Sequence, residues 1–162
     1  MAKQDMDMIV DETLEGAGSE QRVYELGFHL DPELPTEDVK KAYMETRELT
    51  ADKGTIVAEG EPQKIPLAYT ISRQDTSGRR DFDSAYFAWI VYETNAENHS
   101  EIISSASNNK QIVRFIDLLT TKDSARHSVE MREISAKMKE HAEEPEEAVS
   151  TDLDVALENI VV

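Results

Sequence analysis

The sequence predicts an α+β domain in which a four-stranded antiparallel sheet carries two helices on one face, followed by a helical C-terminal extension. Three observations lead there. Apolar residues alternate with a period of two from Gln21 to Leu30, and three further stretches read as strands from their apolar, β-branched and aromatic content. Two stretches between them repeat at helical spacing and carry start and stop signals. The periods occur in the order strand, helix, strand, strand, helix, strand.

From Gln21 to Leu30, Tyr24, Leu26, Phe28 and Leu30 fall on one face of a strand that Asp31-Pro32 ends. Pro35-Thr36-Glu37-Asp38 opens a helix, with Thr36 as expected N-cap and two acids in the positive first turn. Val39, Ala42, Tyr43, Thr46 and Leu49 form its inward stripe, and Gly54 is its stop. A second strand opens at Thr55-Ile56-Val57-Ala58, is interrupted at Gly60-Glu61-Pro62 and resumes from Ile65 to Ser72. Proline inside a strand belongs at an edge or a bulge, so this strand is expected to be bent and peripheral. Gln74 to Asp81 is the hairpin tip. The run Ala85 to Tyr92, aromatic and β-branched almost throughout, is the strongest strand signal. Thr94-Asn95-Ala96-Glu97 reads as a capping box. It begins a helix with His99, Ile102, Ile103 and Ala106 inward, closed by Asn108-Asn109. Ile112 to Leu119 is the last strand.

Two βαβ halves in this order give the ferredoxin-like βαββαβ arrangement. Right-handed crossovers set the strand order four-one-three-two, with the second and fourth strands as edges. Beyond it, His127, Met131, Ile134, Met138 and His141 make a narrow helical seam, and Leu153, Leu157, Ile160 and Val161 a second short amphipathic segment past Glu143-Glu144-Pro145. The expected organisation is an acidic flexible arm at 1–20, the sheet domain at 21–122, and an acidic, partly helical extension at 123–162.

Charge sharpens that division. The chain of 162 residues has a formal net charge of −17, from 17 Lys and Arg against 34 Asp and Glu. Residues 1–20 hold one Lys and six acids, and residues 123–162 hold four basic and 11 acidic side chains, so the ends carry most of the excess. Such a balance argues against a generic nucleic-acid binder, because phosphate contacts rely on Lys and Arg displacing counterions. The absence of cysteine removes disulfides, thiol catalysis and cysteine-ligated zinc. With no secretion signal and no run able to span a bilayer, a cytoplasmic location and no membrane partner are expected.

Catalysis has little support. His29, His99, His127 and His141 lack metal-ligand spacing, and Asp81 and Asp83 lack the glycine and bidentate Glu of a calcium loop. There is no phosphate loop and no nucleophile elbow. No catalytic residue, metal, cofactor or small-molecule substrate is therefore expected. Tyr24, Tyr69, Tyr86, Phe87 and Trp89 invite comparison with the stacking platform of an RNA-recognition motif. Yet Tyr86 to Tyr92 contains no Lys or Arg, and core packing accounts better for Trp89.

Three strings carry a more specific likeness: Arg22-Val23-Tyr24-Glu25-Leu26-Gly27-Phe28-His29-Leu30-Asp31-Pro32, Leu67-Ala68-Tyr69-Thr70-Ile71, and Asn109-Lys110-Gln111-Ile112-Val113-Arg114. In order and spacing, over roughly residues 21–122, they resemble the bacterial small-subunit ribosomal protein six family. That family pairs an Arg-x-Tyr-Glu first strand with a Leu-Ala-Tyr-Pro-Ile strand and an Asn-x-x-Val-x-Arg entry to its last strand. The resemblance implies a structural constituent of the bacterial small ribosomal subunit, binding the central domain of small-subunit rRNA together with ribosomal protein eighteen. It implies rRNA contact at Arg22, Tyr24, Asn109 and Arg114. The family's Trp-Gly-x-Arg falls here on Pro62-Gln63-Lys64-Ile65, so Lys64 stands in for the lost Arg. Thr70 replaces the proline, Ser107 replaces another Arg, and the hairpin pair Arg79-Arg80 adds cations outside the motif. The rival expectation is a ferredoxin-like protein-interaction module outside the ribosome, its acidic arms engaging protein partners.

Overall fold

The computed structural model describes residues 20–143, with side chains to Glu140. Its elements are β1 (Arg22–Leu30), α1 (Thr36–Lys53), β2 (Thr55–Asp75), β3 (Gly78–Thr94), α2 (Ala96–Asn108), β4 (Ile112–Thr120) and α3 (Lys122–Glu143). The four strands form one antiparallel sheet in the order β2-β3-β1-β4, so the expected topology holds and β2 and β4 are its edges.

The alternation read from β1 sets the core. Leu26, Phe28 and Leu30 are fully buried, and their partners across the ladder are Ile90, Ala88 and Tyr86. Val39, Ala42 and Tyr43 from α1 and Ile102 and Ala106 from α2 close over that face. Each large side chain so buried contributes about 1.5–3 kcal/mol.

Helix ends differ from the expectation in instructive ways. Pro35, not Thr36, occupies the N-cap of α1, and no side chain caps it. Pro35 has no N–H to satisfy, and its φ of −55° leads directly into the helix. Thr50 replaces Leu49 in the fully buried stripe, and its hydroxyl donates to the Thr46 carbonyl at 2.7 Å, so burial leaves it satisfied. Gly54 does end α1, but in extended backbone; glycine is needed there because a Cβ would lie 2.6 Å from the Glu93 carbonyl oxygen. Asn95 rather than Thr94 caps α2, accepting from the Asn98 N–H at 2.8 Å. Thr94 is otherwise engaged: its hydroxyl and the Asn98 amide both donate to the Lys53 carbonyl, satisfying the end of α1.

The predicted interruption of the second strand is absorbed by bulges. β2 runs unbroken for 21 residues, with register shifts at Ile56/Ala58, Gly60/Gln63 and Pro66/Ile71. The hairpin tip is only Thr76-Ser77, closed by Gly78 at φ +123°, a conformation that side chains disfavour.

The described residues divide into a sheet unit ending at Arg126 and a helical unit from His127. Within the sheet unit, the first turn of α3 packs on the face opposite α1 and α2: Ala125 is buried with Val23 and Val91, and Lys122 pairs with Glu93 at 2.6 Å. In the helical unit Met131, Ile134 and Met138 are half exposed or more. The acidic arm before Glu20, the His141 side chain and the segment from Leu153 to Val161 lie outside the described residues.

Candidate nucleic-acid interface

An acidic chain contacts phosphate only where local folding gathers its few cations. Here the gathering is done by the far half of the β2–β3 hairpin, which bends past the shift at Pro66/Ile71 and reaches the start of β4. Arg73 donates to the carbonyls of Lys110 (3.1 Å) and Ile112 (2.9 Å). Arg114 donates to the Tyr69 hydroxyl and lies over its ring, 5.5 Å from the centroid. Tyr69 itself stays 63% exposed, so a ring face and a guanidinium stand together at the surface. Arg73 and Lys110 were not singled out from sequence; the signal was a cation at an alternating position of the hairpin, which gains meaning only once the arm bends.

The sequence-predicted residues separate into three situations. Arg114 and Lys64 are exposed and face neutral aromatic partners, Lys64 lying 5.8 Å above the Tyr86 ring. Arg22, Arg79 and Arg80 are each committed to acids. Arg22 pairs with Glu20 at 2.9 Å, and Arg79 with Asp81 at 3.1 Å while donating to the Ser72 hydroxyl. Arg80 bridges Asp31 (2.9 Å) and Glu33 and covers Phe82, which fastens the hairpin to the β1–α1 loop. Its guanidinium is a tie between two segments of the body. Tyr24 and Asn109 are structural. The Tyr24 ring, 8% exposed, stacks on His99 with centroids 3.6 Å apart, which leaves a base no open face to stack on. Its place on the inward face of β1 follows from the same alternation that positions Leu26 and Phe28. Asn109 builds the α2–β4 turn, accepting from the Gln111 N–H at 2.9 Å and donating its own N–H to Ser105 and Ala106.

His29 lies on the open sheet face opposite Arg114 and against Phe87. Partial burial, then the Arg114 charge, hold its pKa below the ordinary histidine value, so it adds no positive charge at neutral pH. His99 does different work. One ring nitrogen meets the Tyr92 hydroxyl and the other the Asp117 carboxylate, both at 2.9 Å, so α2 is joined to β3 and β4 through one imidazole. Burial raises the Tyr92 pKa above its ordinary value, keeping that hydroxyl protonated as a partner. Among the described residues, no His, Asp and Glu side chains are grouped as metal ligands.

The sequence model of a family described as ribosomal protein S6 matches residues 23–118, from the start of β1 almost to the end of β4. Among solved structures the chain is similar to 30S ribosomal protein S6 from Thermotoga maritima. The TM-score is 0.53 at 17% identity, over 73% of this chain and 99% of that one. At that identity the likeness speaks to the fold. No curated protein matches at a significant level.

Proposed function

The chain belongs to the ribosomal protein S6 family, and from that premise we propose that it is a non-catalytic, structural constituent of the small ribosomal subunit, acting in translation in the cytoplasm. It binds the central domain of small-subunit rRNA together with ribosomal protein eighteen. The single observation that carries the reading is that the hairpin brings Arg73 and Arg114 together at the start of β4, where Arg73 binds the backbone carbonyls of Lys110 and Ile112 and Asp75 offsets part of the charge, in a chain of net charge −17. Arg114 uses part of its fork on Tyr69 and keeps further N–H groups for phosphate oxygens. Lys64 adds a second exposed cation; Arg79 and Arg22 contribute only by exchanging an acid for a phosphate. Arg80 stays with Asp31 and Glu33, and Tyr24 and Asn109 act by holding the scaffold. The rRNA-binding domain is residues 21–122; the acidic segments at 1–20 and 123–162 repel phosphate and serve protein contacts.

A basic partner supplies the positive surface that this body lacks. Affinity of the isolated chain for an rRNA fragment is therefore weak and falls steeply with salt, whereas addition of protein eighteen makes it tight. In that ternary assembly Arg114→Ala weakens rRNA binding by about 1–3 kcal/mol. Unchanged affinity removes Arg114 from the interface. Co-sedimentation with small subunits at moderate salt decides between the ribosomal role and a free interaction module, which stays in the soluble pool.

A further inference from the structure

β4 ends the sheet. Among the described residues it is paired with β1 alone, so the backbone groups along its outer side have no strand partner. Its sequence, Ile-Val-Arg-Phe-Ile-Asp-Leu-Leu-Thr, contains no proline or glycine, and its one register shift lies at its beginning. Arg73 covers the Ile112 carbonyl at its start and Arg114 and Asp117 place charges on it, but from Phe115 onward none of the described residues pairs with this edge. Ile116, Leu118 and Leu119 are 57%, 47% and 66% exposed, which places three of the exposed large apolar side chains on this one strand. Beside it runs a groove of about 480 Å³ between α2 and β4, lined by His99, Ser100, Ile103, Ser104, Phe115 and Asp117.

We propose that the β4 edge is a docking strand, taking an extended segment of a basic protein by strand addition, with apolar residues alternating with Lys or Arg. Extended form is required because only a strand satisfies a row of outward backbone donors and acceptors. Alternation follows from the register. Ile116 and Leu118 lie opposite Gly27 and Glu25 on the open face, whereas Phe115 and Asp117 lie opposite Phe28 and Leu26 on the helix face. An added strand therefore sets every second side chain against Ile116 and Leu118. The others enter the groove beside Asp117. Charge selects the partner: α2 and β4 carry Glu97, Glu101 and Asp117 against Arg114, and with Glu101 paired to Lys53 and Asp117 to His99 the surface still has no excess of cations, in a chain of net charge −17. The surface lies outside the cation cluster on the hairpin side of Arg114, so it does not depend on rRNA binding.

The experiment uses the full-length chain and a synthetic peptide of alternating Lys and Val. Its controls are the same peptide N-methylated at alternate residues and one with the same composition in Lys and Val blocks. Backbone NMR and amide hydrogen exchange locate the site. The expected result is slowed exchange confined to residues 115–120, with affinity lowered about tenfold or more by N-methylation, which removes ladder donors, or by blocking, which removes the alternation that seats one face on Ile116 and Leu118. The Ile116→Lys/Leu118→Lys double variant, folded by circular dichroism, loses binding similarly. Equal binding of the N-methylated peptide, absence of binding, or protection elsewhere overturns the proposal. So does slow exchange of β4 in the peptide-free chain. If it grows with protein concentration the occupant is a second copy; if it does not, the occupant is another segment of this chain.

Discussion

Along β2 the sheet ends in three register shifts, two prolines and a glycine laid against Trp89; along β4 it ends in nine residues without proline or glycine and with leucines and isoleucine outward. β2 is also fastened from above. Arg47 and Tyr43 of α1 both bind the Glu59 carboxylate, the Arg at 2.6 Å. β4 is fastened by His99 to Asp117 and, at its start, by Arg73 to the Ile112 carbonyl and by Arg114 to Tyr69; among the described residues the rest of its outer side is open. One edge is closed by its own irregularity, at a cost in ladder hydrogen bonds, whereas the other keeps its regularity and with it the capacity to pair. The difference separates the two tasks of an edge: preventing association, and permitting it at one chosen place.

Four variants test this contrast, and the largest effect belongs to the closed edge. In Gly60→Val the new Cβ would meet the Trp89 indole nitrogen at 2.0 Å, so the ring must leave its place. We predict a loss of about 3 kcal/mol by urea denaturation; a loss below 1 kcal/mol would show that the Trp89 contact is incidental to closing β2. Next comes the clasp on the open edge. His99→Ala strands the hydroxyl of Tyr92, a residue of 0% exposure, and removes the stack on Tyr24, for about 2 kcal/mol. A double-mutant cycle with Asp117→Ala measures how much of it passes to β4.

The third test uses alkali. Burial first, then the neighbouring Glu59 charge, push the Tyr43 pKa from 10.0 up to about 12. The unfolded chain releases this proton before the folded one. Its contribution to stability is thus fully present below about pH 10 and is lost as pH rises toward about 12. The difference in phenolate absorbance between parent and Tyr43→Phe isolates its titration from that of Tyr92, whose pKa burial also raises. If Tyr43 titrates near its ordinary value, the α1–β2 seam is wetter than its packing indicates. The smallest change is Leu118→Lys, expected within about 0.5 kcal/mol of the parent because that side chain is already 47% exposed. A large loss of stability would mean that β4 is covered after all.

Strand order, helix faces and both edges were legible because each rests on periodicity within one segment or on connection rules. Tyr24, Leu26 and Phe28 show the power of that reading. Their alternation assigns all three to the core, yet family likeness made Tyr24 an rRNA contact, and its stack on His99 sides with the alternation. What periodicity does not contain is competition between neighbours. Thr94 has the chemistry of a cap, but the end of α1 claims its hydroxyl and leaves the work to Asn95. Nor does it contain the bend of the hairpin, which turns Arg73 from one cation among many into a neighbour of Lys110 and Ile112. Arg80 looked equivalent to Arg79 in sequence; Asp31 and Glu33, contributed from the β1–α1 loop, make them different.

The tight turn at Thr76-Ser77 has a consequence in time. Because Asp75 faces Gly78, every rung from there back to Thr55 and Glu93 closes with no new loop, whereas joining Val23 to Thr120 spans almost the whole domain. We predict that β2 and β3 zip first and that β4 arrives last, an order that pulse-labelled amide exchange during refolding would reverse if wrong. On a chain growing from its N-terminus, β1 and the hairpin would be assembled before the residues of β4 emerge. The strand with the stickiest outer rim would then be exposed for the shortest part of the chain's synthesis.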